Sequence, residues 1–189
     1  MSGCPTDARD ATLDAVVVIL KTHGYDAVTI RRVAEHARVS SKTIYKHFAT
    51  RDDMIVSAIE KWMAEQVYAQ FTSPRAGESA RDTIIRWVHA SFGPWEDAPS
   101  MLKAYHRARA GPHGARLGMQ GLAAVRPAVE VLRVNDPESD ERELQEILGN
   151  MAYGLVARFS DGQIAVTEIV PALERAVQRL VPGQSFEAT

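Results

Sequence analysis

The sequence contains a single cysteine, Cys4, among its 189 residues, which excludes an internal disulfide. It has no apolar run near the roughly 18 residues that a membrane-spanning helix needs, and no basic-then-apolar leader, so we expect a cytoplasmic protein. Gly-x-Ser-x-Gly, phosphate-loop, His-Glu-x-x-His and cysteine-rich metal patterns are also missing. We therefore expect no catalytic residue, no metal and no cofactor; the alternative, a helical enzyme, would be revealed by turnover of a candidate ligand.

Charge is distributed unevenly along the chain. The whole sequence has a formal net charge of −2, with 46% apolar and 24% charged residues, as is ordinary for a globular protein. Residues 27–51 nevertheless carry six basic side chains against one acidic side chain, a net charge of +5. Such a basic segment on an acidic body suits local contact with phosphates, although a solvated charged face would give the same count.

Residues 29–54 have the pattern of a helix-turn-helix followed by the start of another helix. Apolar residues recur at helical spacing in both short helices: Ile30, Val33, Ala34 and Ala37, then Ile44 and Phe48. A hydroxyl residue stands before each of the three helices: Thr29, Ser40 and Thr50. Because this geometry lays a short, polar-faced helix into the major groove of DNA, the pattern predicts DNA binding.

The rest of the chain also has helical periodicity, and no segment alternates as a strand does, so the predicted fold class is all-α. The first helix ends at Gly24, and the fourth begins near Arg51 and ends before residues 72–79. Further helices are expected over about 80–92 (stopped by Gly93-Pro94), 97–111, 115–133 with kinks, 139–159 and 165–181, with a loop at 135–137.

The N-terminal third resembles the DNA-binding domain of the TetR family of transcriptional regulators. The residues that carry the resemblance are Gly24-Tyr25, Thr29-Ile30-Arg31, Val33-Ala34, Val39-Ser40, Thr43-Ile44-Tyr45, His47-Phe48 and Arg51. The resemblance implies a helix-turn-helix domain over residues 1–52, then a helical ligand-binding and dimerisation domain over residues 53–189. Two positions that are often glycine in relatives are Arg38, at the turn, and Lys42, on the second motif helix.

The predicted DNA contacts follow from the motif and the resemblance together. Ser41, Lys42, Thr43 and Lys46 lie on the exposed face of the second motif helix, where lysine can donate to guanine and the threonine methyl can touch a thymine methyl. The resemblance implies phosphate contacts at Tyr45, His47, Thr29 and Arg51, although part of the Tyr45 ring would also be core. The full expected set is Thr29, Arg31, Ser40, Ser41, Lys42, Thr43, Tyr45, Lys46, His47 and Arg51.

The last two helices have wide apolar stripes. The resemblance implies that such helices pair with their symmetry mates in a four-helix bundle, and a homodimer would double the base contacts on a palindromic site. The expected interface residues are Leu144, Leu148, Met151, Leu155, Ile169, Leu173 and Val177. The stripes could instead be buried against their own chain, and a wide stripe can serve both purposes.

The central helices mix aromatic, methionine and polar residues, which could line a pocket for an apolar or amphipathic small molecule. The candidate contacts are Trp62, Trp87, Phe92, Met101, Tyr105, Arg109, Met119 and Tyr153. Ordinary core and surface positions are the alternative for each of them.

The predicted function is a sequence-specific regulator, by family resemblance a repressor, that a small-molecule effector releases from a palindromic DNA operator. Helix four would carry the signal, because it begins beside DNA and continues into the body. An activator, a regulator without a ligand and a non-specific DNA-binding module are the alternatives; a non-specific module would show no preferred site and strong weakening by salt.

Overall fold

A computed structural model of the chain describes residues 5–75, 77–121, 123 and 141–181, and the statements below concern these residues. They form α-helices and short 3-10 turns and contain no β-strand, which confirms the all-α prediction. The helices are α1 (Pro5–His23), α2 (Ile30–Ala37), α3 (Ser41–His47), α4 (Arg51–Gln66), α5 (Ala80–Glu96), α6 (Pro99–Arg109), α7 (residues 114–121), α8 (Glu141–Ser160) and α9 (Ile169–Leu180). The loop expected at 135–137 lies outside the described residues.

The chain divides into two compact units. The first comprises Met1–Glu65 and Ala98–Gln120, so it contains the motif helices together with α6 and nearly all of α7. The second comprises Gln66–Asp97 and Gly121–Thr189, and its described helices are α5, α8 and α9. The functional boundary predicted near residue 52 stays a prediction.

In the first unit, α1 and α4 both contribute many buried side chains. On α1, Leu13, Val16 and Leu20 are buried at helical spacing, and the helix ends where Gly24 takes a φ of 78°. All six residues over 54–59 of α4 are buried. A helix covered on every side is held firmly by its neighbours, so α4 is the fixed element beside the motif helices.

The second unit is built around α5, with α9 packed on it and α8 packed on α9. Its buried cluster contains Ile84, Trp87, Val177 and Val181. The Trp87 indole donates a hydrogen bond to the Thr72 carbonyl at 3.0 Å, so the largest core side chain also has its polar atom satisfied.

One expected helix break is absent. The prediction that Gly93-Pro94 ends the fifth helix is wrong, because α5 continues to Glu96. Proline lacks an N–H donor and its ring crowds the preceding turn, but burial of Trp95 holds the last turn of α5 in place. Gly118 is helical within the described part of α7; the Arg109 guanidinium lies where a Cβ at residue 118 would be, so a larger residue there would displace that flexible side chain.

Candidate nucleic-acid interface

The three predicted helix caps are present in the structure. The hydroxyl of Thr29 accepts a hydrogen bond from the Arg32 N–H at 3.2 Å, which caps α2. Ser40 accepts from the Thr43 N–H at 3.0 Å and caps α3, and Thr50 accepts in the same way at the start of α4. These bonds satisfy donors that a helix cannot satisfy itself, so the ends of both motif helices are fixed locally.

The turn between α2 and α3 passes through a left-handed residue at Arg38, a position that is often glycine in relatives. Arg38 has φ 55° and ψ 39°, and it is the one non-glycine residue with positive φ in the described chain. The next amide, that of Val39, donates to the Ala34 carbonyl at 3.1 Å and closes the end of α2. A side chain in this conformation costs on the order of 1 kcal/mol, which the surrounding contacts must offset.

One face of the two motif helices is buried and the other is open. Val33 on α2 and Ile44 on α3 have no exposed surface, and Phe48, at the end of α3, is also buried. The opposite side of α3 is solvent-exposed and polar, and its exposed residues are Ser41, Lys42, Tyr45 and Lys46. Tyr45 exposes 58% of its surface, a large fraction for an aromatic residue. An exposed polar face on a firmly seated short helix is the geometry that major-groove reading requires.

Three residues of the predicted set make contacts at the ends of α3. The hydroxyls of Thr43 and Ser40 lie 2.8 Å apart and hydrogen-bond, so both belong to the cap. His47 is half-buried, with its ring 6.3 Å from that of Phe48. Thr43 and His47 are less exposed than Ser41, Lys42, Tyr45 and Lys46.

The two arginines of the predicted set differ in their environment. Arg31 is almost fully exposed and pairs with Glu35 one turn later at 3.0 Å, an arrangement that phosphate could replace at little cost. Arg51 instead points into the protein: its guanidinium donates to the carbonyls of Val28 at 2.5 Å and of Tyr25 at 2.6 Å. Arg51 therefore holds the turn that precedes α2.

Arg107 on α6, a residue that the sequence did not suggest, joins Arg51 at the Tyr25 ring. Its guanidinium lies 4.5 Å from the centre of the Tyr25 ring, and that of Arg51 lies 4.9 Å from the same ring. Arg107 also donates to Asp26 at 2.8 Å, which lowers the pKa of that carboxyl. Burial, together with the neighbouring Asp52 carboxylate, raises the pKa of Tyr25. α6 is thus tied to the start of the motif by charge and stacking.

A second missed residue, Arg116 on α7, binds the face of α4. It donates to Asp53 at 2.6 Å, to Ser57 at 3.1 Å and, through two nitrogens, to Glu60. Burial alone would lower the pKa of Arg116, but the hydrogen bonds to Glu60 and Asp53 outweigh it and raise that pKa. No sequence signal pointed to this residue, because its partners lie 56 to 63 positions away.

The candidate small-molecule contacts belong to both units. Those in the first unit are Trp62 and Met101, which are buried, Tyr105 and Arg109, which are half-buried, and Met119, which is 62% exposed. Those in the second are Trp87, buried, Phe92, half-buried, and Tyr153, 54% exposed. Arg109 donates to the Gly114 carbonyl at 3.1 Å. Their role in ligand binding stays a prediction.

The expected interface residues also fall into two groups. Ile169, Leu173 and Val177 are buried within their own chain, so this apolar stripe of α9 belongs to the core of its unit. On α8, Leu155 is buried, and the half-buried residues are Leu144, Leu148 and Met151. Within the described part of the chain, no helix is long and apolar enough to cross a membrane.

Capped helices, a tight turn and an exposed polar face define a helix-turn-helix DNA-binding protein. The family model for bacterial regulatory proteins of the tetR family matches residues 13–58, and the model for the Tetracyclin repressor-like C-terminal domain matches residues 77–180. The chain therefore belongs to the TetR family of transcriptional regulators, as the sequence motif suggested.

Individual relatives agree with this assignment. The HTH-type transcriptional repressor KstR of Rhodococcus jostii is 35% identical over 183 residues, which span 95% of this chain and 85% of that protein. A TetR transcriptional regulator from Rhodococcus sp. RHA1 has the same fold, with a TM-score of 0.69 and 16% identity over 93% of this chain and 96% of that one. A second Rhodococcus structure, of a putative TetR-family regulator, gives a TM-score of 0.67 at 19% identity over 94% of this chain and 100% of that one.

Proposed function

We propose that this regulator is a repressor that binds a palindromic operator as a homodimer and leaves it when a small molecule binds. The observation that carries the proposal is that α3 has one exposed polar face and one buried face. The exposed residues are Ser41, Lys42, Tyr45 and Lys46. Repression is the mode that the name of the similar Rhodococcus jostii protein records.

In this proposal, Lys42 and Lys46 read base edges and Tyr45 contacts the DNA backbone. Lysine donates to guanine O6 or N7 in the major groove, and a phenol hydroxyl can donate to phosphate. Arg31 would exchange its exposed partner Glu35 for a phosphate oxygen, because a surface ion pair is weak.

The homodimer would form through the part of α8 that its own chain leaves uncovered. Ile147 and Tyr153 are 41% and 54% exposed, so each has apolar surface that a partner helix could cover. Acidic residues Glu143 and Glu146 lie in the N-terminal half of α8, and Arg158 lies near its end. Antiparallel pairing of two α8 helices about a two-fold axis would bring each acidic half beside a basic end.

The effector would be an apolar or amphipathic molecule that binds among aromatic and methionine side chains. Phe92, in the second unit, is half-buried, so it has surface that a ligand could cover. A ligand that favours the conformation with low DNA affinity would weaken operator binding by the ratio of its affinities for the two states.

The experiment that tests the proposal is selection of random duplex DNA by the purified protein at about 0.15 M salt, where non-specific binding is weak. An enriched palindrome, bound by a dimer in light scattering of the complex, is the expected result. Recovery of no motif would refute sequence-specific binding. A non-palindromic site bound by one chain would refute the dimer part alone.

A further inference from the structure

The Arg116 guanidinium contacts three side chains on one face of α4. Its partners Asp53, Ser57 and Glu60 are spaced by four and then three residues, so they lie above one another along the helix. A planar guanidinium with five donors suits such a set, whereas a lysine ammonium could not reach all three at once. One side chain of α7 therefore spans two turns of α4.

The Asp53 carboxylate joins this contact to the end of α3, which is the recognition helix of the proposed function. While its Oδ1 accepts from Arg116 at 2.6 Å, its Oδ2 accepts from the backbone N–H of Ala49 at 3.2 Å. Ala49 lies two residues beyond the end of α3, next to the buried Phe48 that seats α3 in the core. The Asp53 carboxylate thus links Arg116 to the backbone that follows α3.

The surroundings of this contact make it firmer than an ordinary surface ion pair. The side chains of Asp53 and Glu60 are only about a fifth exposed, at 21% and 22%. Leu117, next to Arg116 on α7, has no exposed surface, and Gln120 donates to the Glu60 carbonyl at 2.8 Å. Without Arg116, two carboxylates would share one face of α4 with no cation between them, and their repulsion would loosen Asp53.

We propose that Arg116 is a positioning residue for DNA binding: it holds Asp53, which in turn fixes the segment between α3 and α4 and therefore the seat of the recognition helix. This inference deepens the proposed function and rests on it for the DNA measurement.

The first test compares DNA affinities of three variants on the duplex that the wild-type protein selects. Arg116→Gln and Asp53→Asn should each weaken binding about 5- to 20-fold, within the usual range of coupling between two sites. Lys61→Gln is the matched control, because Lys61 is also on α4 and pairs with Asp14 at 2.7 Å but does not reach the α3–α4 segment. It should leave affinity within about twofold.

The direction of each change in DNA affinity distinguishes a positioning role of Arg116 from an effect of net charge alone. If charge alone mattered, Arg116→Gln and Lys61→Gln would weaken binding equally, and Asp53→Asn, which removes a negative charge, would strengthen it. Positioning predicts weakening by both Arg116→Gln and Asp53→Asn, and partial recovery in Arg116→Lys. Equal effects of the two cation-removing variants, or tighter binding by Asp53→Asn, would overturn the proposal.

The second test needs no DNA and stands apart from the proposed function. Amide hydrogen exchange over residues 46–54 should become faster in Arg116→Gln, while exchange in the core of α1 stays at the wild-type rate. Lys61→Gln should not change the exchange rates of the 46–54 segment.

If the wild type selects no duplex, the proposed function fails, and the exchange result alone decides for or against positioning. If Arg116→Gln does not fold, Arg116→Lys and Asp53→Asn decide both tests; wild-type exchange over 46–54 in both would overturn the proposal.

Discussion

Replacing Arg51 with alanine should destabilise the protein while changing the salt dependence of DNA binding little. In the structure, the Arg51 guanidinium donates to two backbone carbonyls, those of Val28 and Tyr25, and lies over the Tyr25 ring. The resemblance to relatives instead implies a contact with the DNA backbone. The two roles make opposite predictions, because an internal hydrogen-bonding role affects unfolding and a phosphate contact affects binding.

The size of the effect can be worked from these contacts. Hydrogen bonds from a charged donor contribute about 1.5–3 kcal/mol each, and the low end applies here because the Arg51 side chain is 33% exposed. Stacking of the guanidinium on the half-buried Tyr25 ring adds roughly 0.5–1 kcal/mol. Water can reach part of the freed carbonyl surface in the variant, so we expect a net loss of about 2–3 kcal/mol in the free energy of unfolding. For a chain of this size that is a fall in Tm of roughly 4–12 °C.

The assay is urea unfolding of the full chain beside DNA titrations at several salt concentrations. Arg31→Ala is the control: Arg31 is 90% exposed, and removal of its ion pair should change stability by less than about 0.5 kcal/mol. If Arg51 contacted a phosphate in each half-site, Arg51→Ala would reduce the slope of log K against log salt by about 0.9 per contact. An unchanged unfolding free energy together with such a reduced slope would refute the structural role.

Two further outcomes follow from local features of the two units. Arg38→Gly should raise the free energy of unfolding by up to about 1 kcal/mol, because glycine takes the left-handed conformation of this turn without a Cβ clash; a destabilised variant in urea would contradict this. Hydrogen bonds from Arg86 hold the pKa of Glu78 at about 2, below its ordinary value of 4.5, so this pair stabilises the fold above pH 4.5 and the contribution is lost as pH falls towards 2. The stability difference between the wild type and Glu78→Gln should therefore shrink over that pH range, and a difference independent of pH would argue against the pairing.

The features that sequence reasoning predicted well are those that depend on near neighbours. The caps by Thr29 and Ser40 and the turn at Arg38 each involve residues no more than five positions apart. A hydroxyl before an apolar-periodic run satisfies helix donors wherever the helix lies in the fold, so the sequence pattern is sufficient. The break expected at Pro94 failed because burial of Trp95, a tertiary effect, outweighed a local preference.

The features that it missed depend on pairs far apart in the chain. Arg107 meets Asp26 across 81 positions, and Arg116 meets Asp53 across 63. Neither arginine belongs to a motif, and an arginine on an amphipathic helix is usually a solvated residue. Only the folded chain, which places α6 beside the turn before α2 and α7 beside α4, brings these arginines to their partners.

The same reasoning changes what the basic segment contributes to DNA binding. Residues 27–51 have a formal charge of +5, but a charge acts on DNA only to the extent that no internal group already holds it. Arg51 is committed to the turn before α2, whereas Lys42 and Lys46 are exposed on α3. Arg31 is intermediate in availability: it has an ion-pair partner, Glu35, but that partner is exposed and a phosphate oxygen could replace it. Affinity for phosphate therefore depends on which of these cations are available, and the cations of α3 lie on the same face that we propose to read the bases.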